Sequence, residues 1–224
     1  MKVLVGCPTS QHKAYCLKEY AAGVKALQGE FDVLIVDNSE NDDYLHQLKN
    51  AGLPAIKGPM PAKIKDRIVA CRNVLRQKAL DEGYDWFFSL EQDVIPPPDA
   101  LQKLLSAEKM IVGGVYTKHY RVMEGEKEVG TQERPLLWTS IRGQVAQWTM
   151  DALEPPRLQQ VLFSGLGCLL IHRSALEKVA FRWDPAKKGF DDVFFCTDAQ
   201  KFGIFVDTSV RCKHLEMSWE GIEK

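Results

Sequence analysis

Two carboxylates, Glu91 and Asp93, stand two residues apart in Glu91-Gln92-Asp93, directly after the apolar run Trp86-Phe87-Phe88-Ser89-Leu90. At a strand end that spacing lets both acids point into one cleft. Hard divalent ions take oxygen ligands, and Mg²⁺ or Mn²⁺ is commonly held by one or two protein carboxylates plus substrate phosphate oxygens. An exposed acidic turn ahead of a proline-capped helix fits the same residues. Asp37-Asn38-Ser39 closes another apolar run and suits either an acceptor for a nucleoside or an Asx turn. Arg67, Arg72 and Asn73 lie on the helix leading to the acidic strand, where guanidinium groups can grip a diphosphate or simply face solvent. Asp191-Asp192 opens a later helix, so one acid can cap it while the other is left as a base. His214 follows the last strand-like run; it is a structural or surface imidazole, or a ligand completing a carboxylate site for manganese.

Positioning these groups requires a regular frame, and the first half of the chain reads as one. Residues 2–5 form a short apolar run closed by Gly6-Cys7-Pro8-Thr9-Ser10. Ala14, Leu17, Tyr20 or Ala21, Val24 and Leu27 recur at helical spacing up to Gly29, and residues 31–36 are a second strand-length run. Ile64, Ile68, Cys71, Leu75 and Ala79 mark a helix over about 63–82, followed by the strand at 86–90. Strands that are apolar throughout and alternate with helices predict a parallel sheet covered on both faces. Ligands of such sheets bind where strands end, after Val5, Val36 and Leu90.

The second half is less regular. Strands are expected at 110–116 and 204–206, a long apolar segment at 161–171, and helices at 174–179 and 190–202. Residues 118–160 lack periodicity and read as a long excursion or flap. Tyr116, Trp138 and Trp148 are aromatics able to stack on a sugar or base, although core packing is their commoner fate.

At 224 residues, with 45% hydrophobic and 26% charged residues, the chain suits one large globular domain. Lys plus Arg (29) nearly cancel Asp plus Glu (30), which excludes the basic excess of a dedicated nucleic-acid binder. Cys7, Cys16, Cys71, Cys168, Cys196 and Cys212 form no C-x-x-C pair and read as free thiols of a reducing compartment. No segment is apolar enough for a membrane span, and the N-terminus enters a strand without a signal-peptide pattern, so a cytoplasmic protein is expected. P-loop and dinucleotide-binding glycine motifs are absent.

In combination, the order of these motifs resembles that of the GT-A-fold glycosyltransferases of the family 2 type. The resemblance spans essentially the whole chain and is weakest across 118–160. Val33-Leu34-Ile35-Val36-Asp37-Asn38-Ser39 looks like the family's second strand with its nucleoside-contacting aspartate. Arg72-Asn73 and Glu91-Gln92-Asp93 match its arginine-asparagine pair and its acidic DXD metal motif. Gly167-Cys168-Leu169-Leu170-Ile171-His172-Arg173, Phe181 and Asp191-Asp192 look like its strand-and-acid-pair region, and His214 falls where a metal-binding histidine is often found. Glutamate stands for the first aspartate of the acidic motif, and the acid pair is Asp-Asp where Glu-Asp is usual.

The resemblance implies a single α/β domain with a GT-A (Rossmann-like), mainly parallel sheet flanked by helices. Residues 1–95 would form the nucleotide-binding half and 96–224 the acceptor half. It implies inverting, hexosyl-type transfer from a UDP- or GDP-sugar donor to a saccharide or other hydroxyl acceptor. Pro8, Thr9, Ser10, Asp37, Asn38, Arg67, Arg72, Asn73 and Gln92 would bind the nucleotide. Glu91, Asp93 and His214 would hold Mn²⁺ or Mg²⁺, and Asp192, with Asp191 beside it, would be the base. The alternatives are a sugar-phosphate nucleotidylyltransferase, poorly matched by the turn at 6–10, and a non-catalytic nucleotide-sugar-binding domain.

Overall fold

The computed structural model describes residues 1–217. The first half runs β1 (Val3–Thr9), a 3₁₀ helix (Gln11–Cys16), α1 (Leu17–Ala26), β2 (Asp32–Asp37), α2 (Asp43–Asn50), β3 (Ala55–Lys57), α3 (Ile64–Asp81), β4 (Trp86–Leu90) and β5 (Val94–Ile95). Then come α4 (Ala100–Ser106), β6 (Ile111–Val115), β7 (Thr117–Glu124), β8 (Lys127–Pro135), β9 (Leu137–Ile141) and β10 (Gln144–Gln147). The chain continues with β11 (Leu158–Val161), β12 (Phe163–Ser164), β13 (Cys168–His172), α5 (Arg173–Leu176), α6 (Asp191–Asp198), β14 (Ile204–Arg211) and β15 (Lys213–His214).

Eight strands form the central sheet in the order β11-β14-β6-β13-β4-β1-β2-β3. Strands β1 to β4 are mutually parallel, as are β6 and β14; β13 runs antiparallel between β4 and β6. The central strands are buried on both faces, which is why they read as unbroken apolar runs. Each face carries its own core. Cys71, Leu75 and Ala79 of α3 pack with Phe195 of α6 on one side, whereas Tyr20 of α1, Tyr44 of α2 and Leu101 of α4 fill the other. The order reverses at β1, which lies between β2 and β4, so the loops leaving β1 and β4 separate and open a crevice. This is a single mixed α/β domain. Among the described residues no helix is long and apolar enough to cross a membrane.

Several sequence expectations need correction. Residues 118–160 are not irregular: β7 and β8 form one antiparallel hairpin, and β9 and β10 a second that joins β12. Strands β7 and β8 expose both faces over most of their length, so the alternation that betrays a half-buried strand is missing. Helix α2 went unread because it buries only Tyr44 and Leu48. The expected helix at 190–202 is two elements, α6 and a 3₁₀ turn (Gln200–Phe202), ended by Gly203 at φ +70°. The strand expected at 204–206 extends to Arg211 as β14, with an alternating burial pattern in place of a continuous apolar run. All six cysteines are free, and only Cys212 is not fully buried.

Candidate active site

The parallel register brings Thr9, at the end of β1, beside Asp37, at the end of β2, while Gly6 pairs with Ser89 of β4. Strand β13 starts at the same edge, where Cys168 faces Leu90. A cleft of about 430 Å³ opens there. Its walls include the Pro8-Thr9-Ser10 turn, Asn38, Arg72, Glu91, Gln92, Asp191, Asp192 and His214. The sequence motifs named above therefore converge, with four exceptions discussed below.

The acidic turn is held by backbone bonds from Glu91 N to Gly167 O (2.9 Å) and from Val94 N to Glu91 O (2.9 Å). Pairing of β5 with β15 sets His214 opposite Val94, and Leu215 N donates to Asp93 O at 2.8 Å. Two residues far apart in the chain are thus locked side by side. Nε2 of His214 lies 3.5 Å from Oδ2 of Asp93, which also takes an ion pair from Lys13. Nδ1 of His214 donates to Thr117 O at 2.6 Å, an arrangement that fixes the ring and turns Nε2 toward Asp93. Burial opposes ionisation of Asp93, but His214 and Lys13 outweigh it and lower its pKa to about 2. Burial likewise disfavours the charged His214, and Asp93 reverses this, raising its pKa. Oδ1 of Asp93 is buried and, among the described residues, has no hydrogen-bond partner.

Tyr116 closes this corner. Its ring lies edge-on to His214 at 5.4 Å, and its hydroxyl accepts from Gly167 N at 2.9 Å. A β-carbon on Gly165 or Gly167 would collide with the phenol, so these two glycines make room for the ring. Trp148 instead packs into the core, with the Arg157 guanidinium over its ring.

Across the cleft, Asp191 and Asp192 occupy the first turn of α6. Asp191 is buried in an ion pair with Arg72, whose guanidinium also binds Glu91 and reaches Ser89 Oγ at 3.2 Å. Burial alone would depress ionisation of Arg72; the two carboxylates override it and hold its pKa above the usual arginine value. Among the described residues no cation forms an ion pair with Asp192, and the Arg72 charge only partly offsets what raises its pKa. Desolvation, then the neighbouring charge of Asp191, raise its pKa from 3.8 to about 6. One oxygen accepts from Val193 N at 2.8 Å while the carboxyl lines the cleft. A carboxylate so tuned is suited to accept a proton.

Four expected site residues do not line the cleft: Asp37, Arg67 and Asn73, expected at the nucleotide, and Asp93, expected at the metal. Asp37 is fully buried, accepting from Ser39 N (2.9 Å), Ser39 Oγ (2.6 Å) and Lys57 Nζ (2.8 Å). Arg67 donates to Pro61 O at 2.6 Å and braces the loop before α3. Asn73 bonds both backbone groups of Phe181, at 2.8 and 3.1 Å. Asp93 sits behind Lys13 and His214, which are themselves cleft residues. Arg72 and Gln92 do reach the cleft, yet their polar groups are committed: Arg72 to the carboxylates, and Gln92 to Thr9, Tyr44 and Lys13 O (2.9 Å). Glu91 is likewise ion-paired with Arg72. The cleft also contains His12, Lys13, Lys118, Tyr120 and Phe190, which sequence reasoning did not select. The signal for Lys13 was available: a basic residue three positions beyond the turn that ends β1.

Among the described residues no three His, Cys, Asp or Glu side chains gather as a self-sufficient metal cage. Asp93 and His214 alone nevertheless fit a divalent ion that draws its other ligands from phosphate and water, because a buried carboxylate oxygen awaits a partner and the imidazole is oriented beside it.

No protein-family profile matches the chain, and no curated protein matches it. Solved structures do. Among them, A197 from STIV is 16% identical with a TM-score of 0.50, covering 97% of this chain and 87% of its own. The S. aureus TarS 1-349 structure in complex with UDP-GlcNAc is 14% identical with a TM-score of 0.59, and the match covers 97% of this chain. The mannosyltransferase PcManGT from Pyrobaculum calidifontis, in complex with GDP-Man and Mn2+, is 13% identical with a TM-score of 0.58 over 98% of this chain. The match spans 60% of the TarS chain and 58% of the mannosyltransferase chain. The likeness is one of fold, and the fold is GT-A-like.

Proposed function

We propose that this protein is a metal-dependent glycosyltransferase of the GT-A, family 2-like kind. It would move a hexosyl group from a UDP- or GDP-sugar to an acceptor hydroxyl with inversion. The observation that carries this reading is the cleft's polarity. One wall presents an oriented His214 with Asp93 behind it, whose buried Oδ1 has no hydrogen-bond partner among the described residues; the other presents Asp192, whose pKa of about 6 suits a base. The nucleotide-sugar ligands of the two solved structures of like fold, UDP-GlcNAc and GDP-Man with Mn2+, support the same substrate class.

In this reading residues 1–95 form the nucleotide half, with the Pro8-Thr9-Ser10 turn and Asn38 around the nucleoside. Residues 96–224, of which 218–224 lie outside the described residues, are assigned to the acceptor half. Asp93 and His214 hold Mn²⁺ or Mg²⁺, with Glu91 and Arg72 fixing the shape of the acidic turn. The bound cation supplies charge neutralisation as the diphosphate leaves. Asp192 accepts the proton of the acceptor hydroxyl while the hydroxyl oxygen bonds to the anomeric carbon and the bond to the diphosphate breaks. Asp191 stays paired with Arg72 and keeps α6 in register.

Incubation with UDP- and GDP-sugars, Mn²⁺ and a panel of saccharide acceptors is expected to release nucleoside diphosphate. Excess chelator should stop release and added Mn²⁺ should restore it. Undiminished release in chelator would contradict the metal assignment, and no release with any donor would contradict the transferase.

A further inference from the structure

Lys13 occupies the place on Asp93 where a second cation would compete with it. The backbone of Lys13 is fixed: its N–H donates to Ser10 O at 2.8 Å, and its carbonyl accepts from Gln92 Nε2 (2.9 Å) and Cys16 Sγ (3.1 Å). Its side chain, only 19% exposed, extends to Asp93 Oδ2, an oxygen shared with the His214 ring, while Oδ1 has no partner among the described residues. Lys13 is also one of the residues lining the cleft, where a bound anion would offer its ammonium a second partner. A divalent ion arriving at Asp93 alone meets this like charge at close range, in a partly buried corner where repulsion is weakly screened.

We propose that Lys13 is a tethered cation that holds Asp93 and keeps divalent-metal affinity low until an anionic diphosphate enters the cleft and gives the ammonium another partner. The inference rests on the metal reading above and goes beyond it, because it makes metal and nucleotide binding mutually dependent. Coupling of this kind is reciprocal: whatever the diphosphate adds to metal affinity, the metal adds to diphosphate affinity.

The test is Mn²⁺ binding itself, followed by electron paramagnetic resonance for wild type, Lys13→Met and Lys13→Gln, with and without UDP or GDP. Both variants are expected to bind Mn²⁺ alone about tenfold more tightly than wild type. The further gain on adding UDP or GDP should shrink in them. Structural damage would lower the affinity, so the direction of the change separates the two roles; Gln, which retains a polar head, guards against a folding defect specific to Met. Asp93→Asn should remove binding in either background. Equal or weaker Mn²⁺ binding by folded Lys13 variants would overturn the tethered cation while leaving the metal site standing. Absence of Mn²⁺ binding in every protein, with or without nucleotide, would overturn both.

Discussion

Asp192→Asn is expected to lower turnover by about 10²–10⁴-fold, the usual contribution of a positioned base, while donor affinity changes no more than a few-fold. Asparagine keeps the shape and can still accept from Val193 N, so α6 should not move. For the unmodified protein, kcat/KM should fall about tenfold per pH unit below the pKa of about 6 and flatten above it. Stability moves the opposite way. The folded-state pKa lies above 3.8, so the folded chain binds this proton more tightly than the unfolded chain does. The cost of burying the carboxylate is absent at pH below 3.8, and it accrues as pH rises through about 6. Near neutral pH, Asp192→Asn should therefore be at least as stable as wild type. Steady-state kinetics paired with urea denaturation checks both halves. Near-wild-type turnover in the folded variant would remove Asp192 from the reaction.

The second large effect belongs to Arg72. Its side chain is 3% exposed and joins Asp191, also 3% exposed, to Glu91. Removing one partner of a buried pair strands the other charge, so Arg72→Leu is expected to cost about 3–5 kcal/mol in stability. Leaving Asp191 uncompensated is the main penalty, and adding Asp191→Asn to Arg72→Leu should recover part of it. Denaturant unfolding measures both. A loss of only ~1 kcal/mol, the range of an exposed pair, would mean that water reaches this cluster.

Much of the frame was legible because its signals are local. Buried central strands carry unbroken apolar runs, and α3 carries a stripe from Ile64 to Ala79. The hairpins of β7 to β10 were not legible, since strands solvated on both faces lack a hydrophobic period. Residue types at the site were readable in the same uneven way. Asp192, Asp93 and His214 were recognisable as acids and an imidazole at strand or helix ends, and the structure gathers them around one cleft. Asp37, Asn73 and Gln92 carry the same chemistry on paper, yet each is consumed internally, by Ser39 and Lys57, by Phe181, and by Thr9 and Tyr44. Buried polar groups require partners, and a sequence does not say whether the partner is a ligand or the protein itself. Lys13 shows the converse: its importance comes from reaching a carboxylate eighty residues away.

The decisive measurement is anomalous diffraction at the manganese edge from crystals soaked with Mn²⁺ and UDP or GDP. The expected result is one strong peak within bonding distance of Asp93 Oδ1 and His214 Nε2, with the diphosphate against it and Asp192 facing the open side of the cleft. A nucleotide bound elsewhere, or an ordered diphosphate in this cleft with Lys13 still on Asp93 and no manganese beside it, would contradict the account.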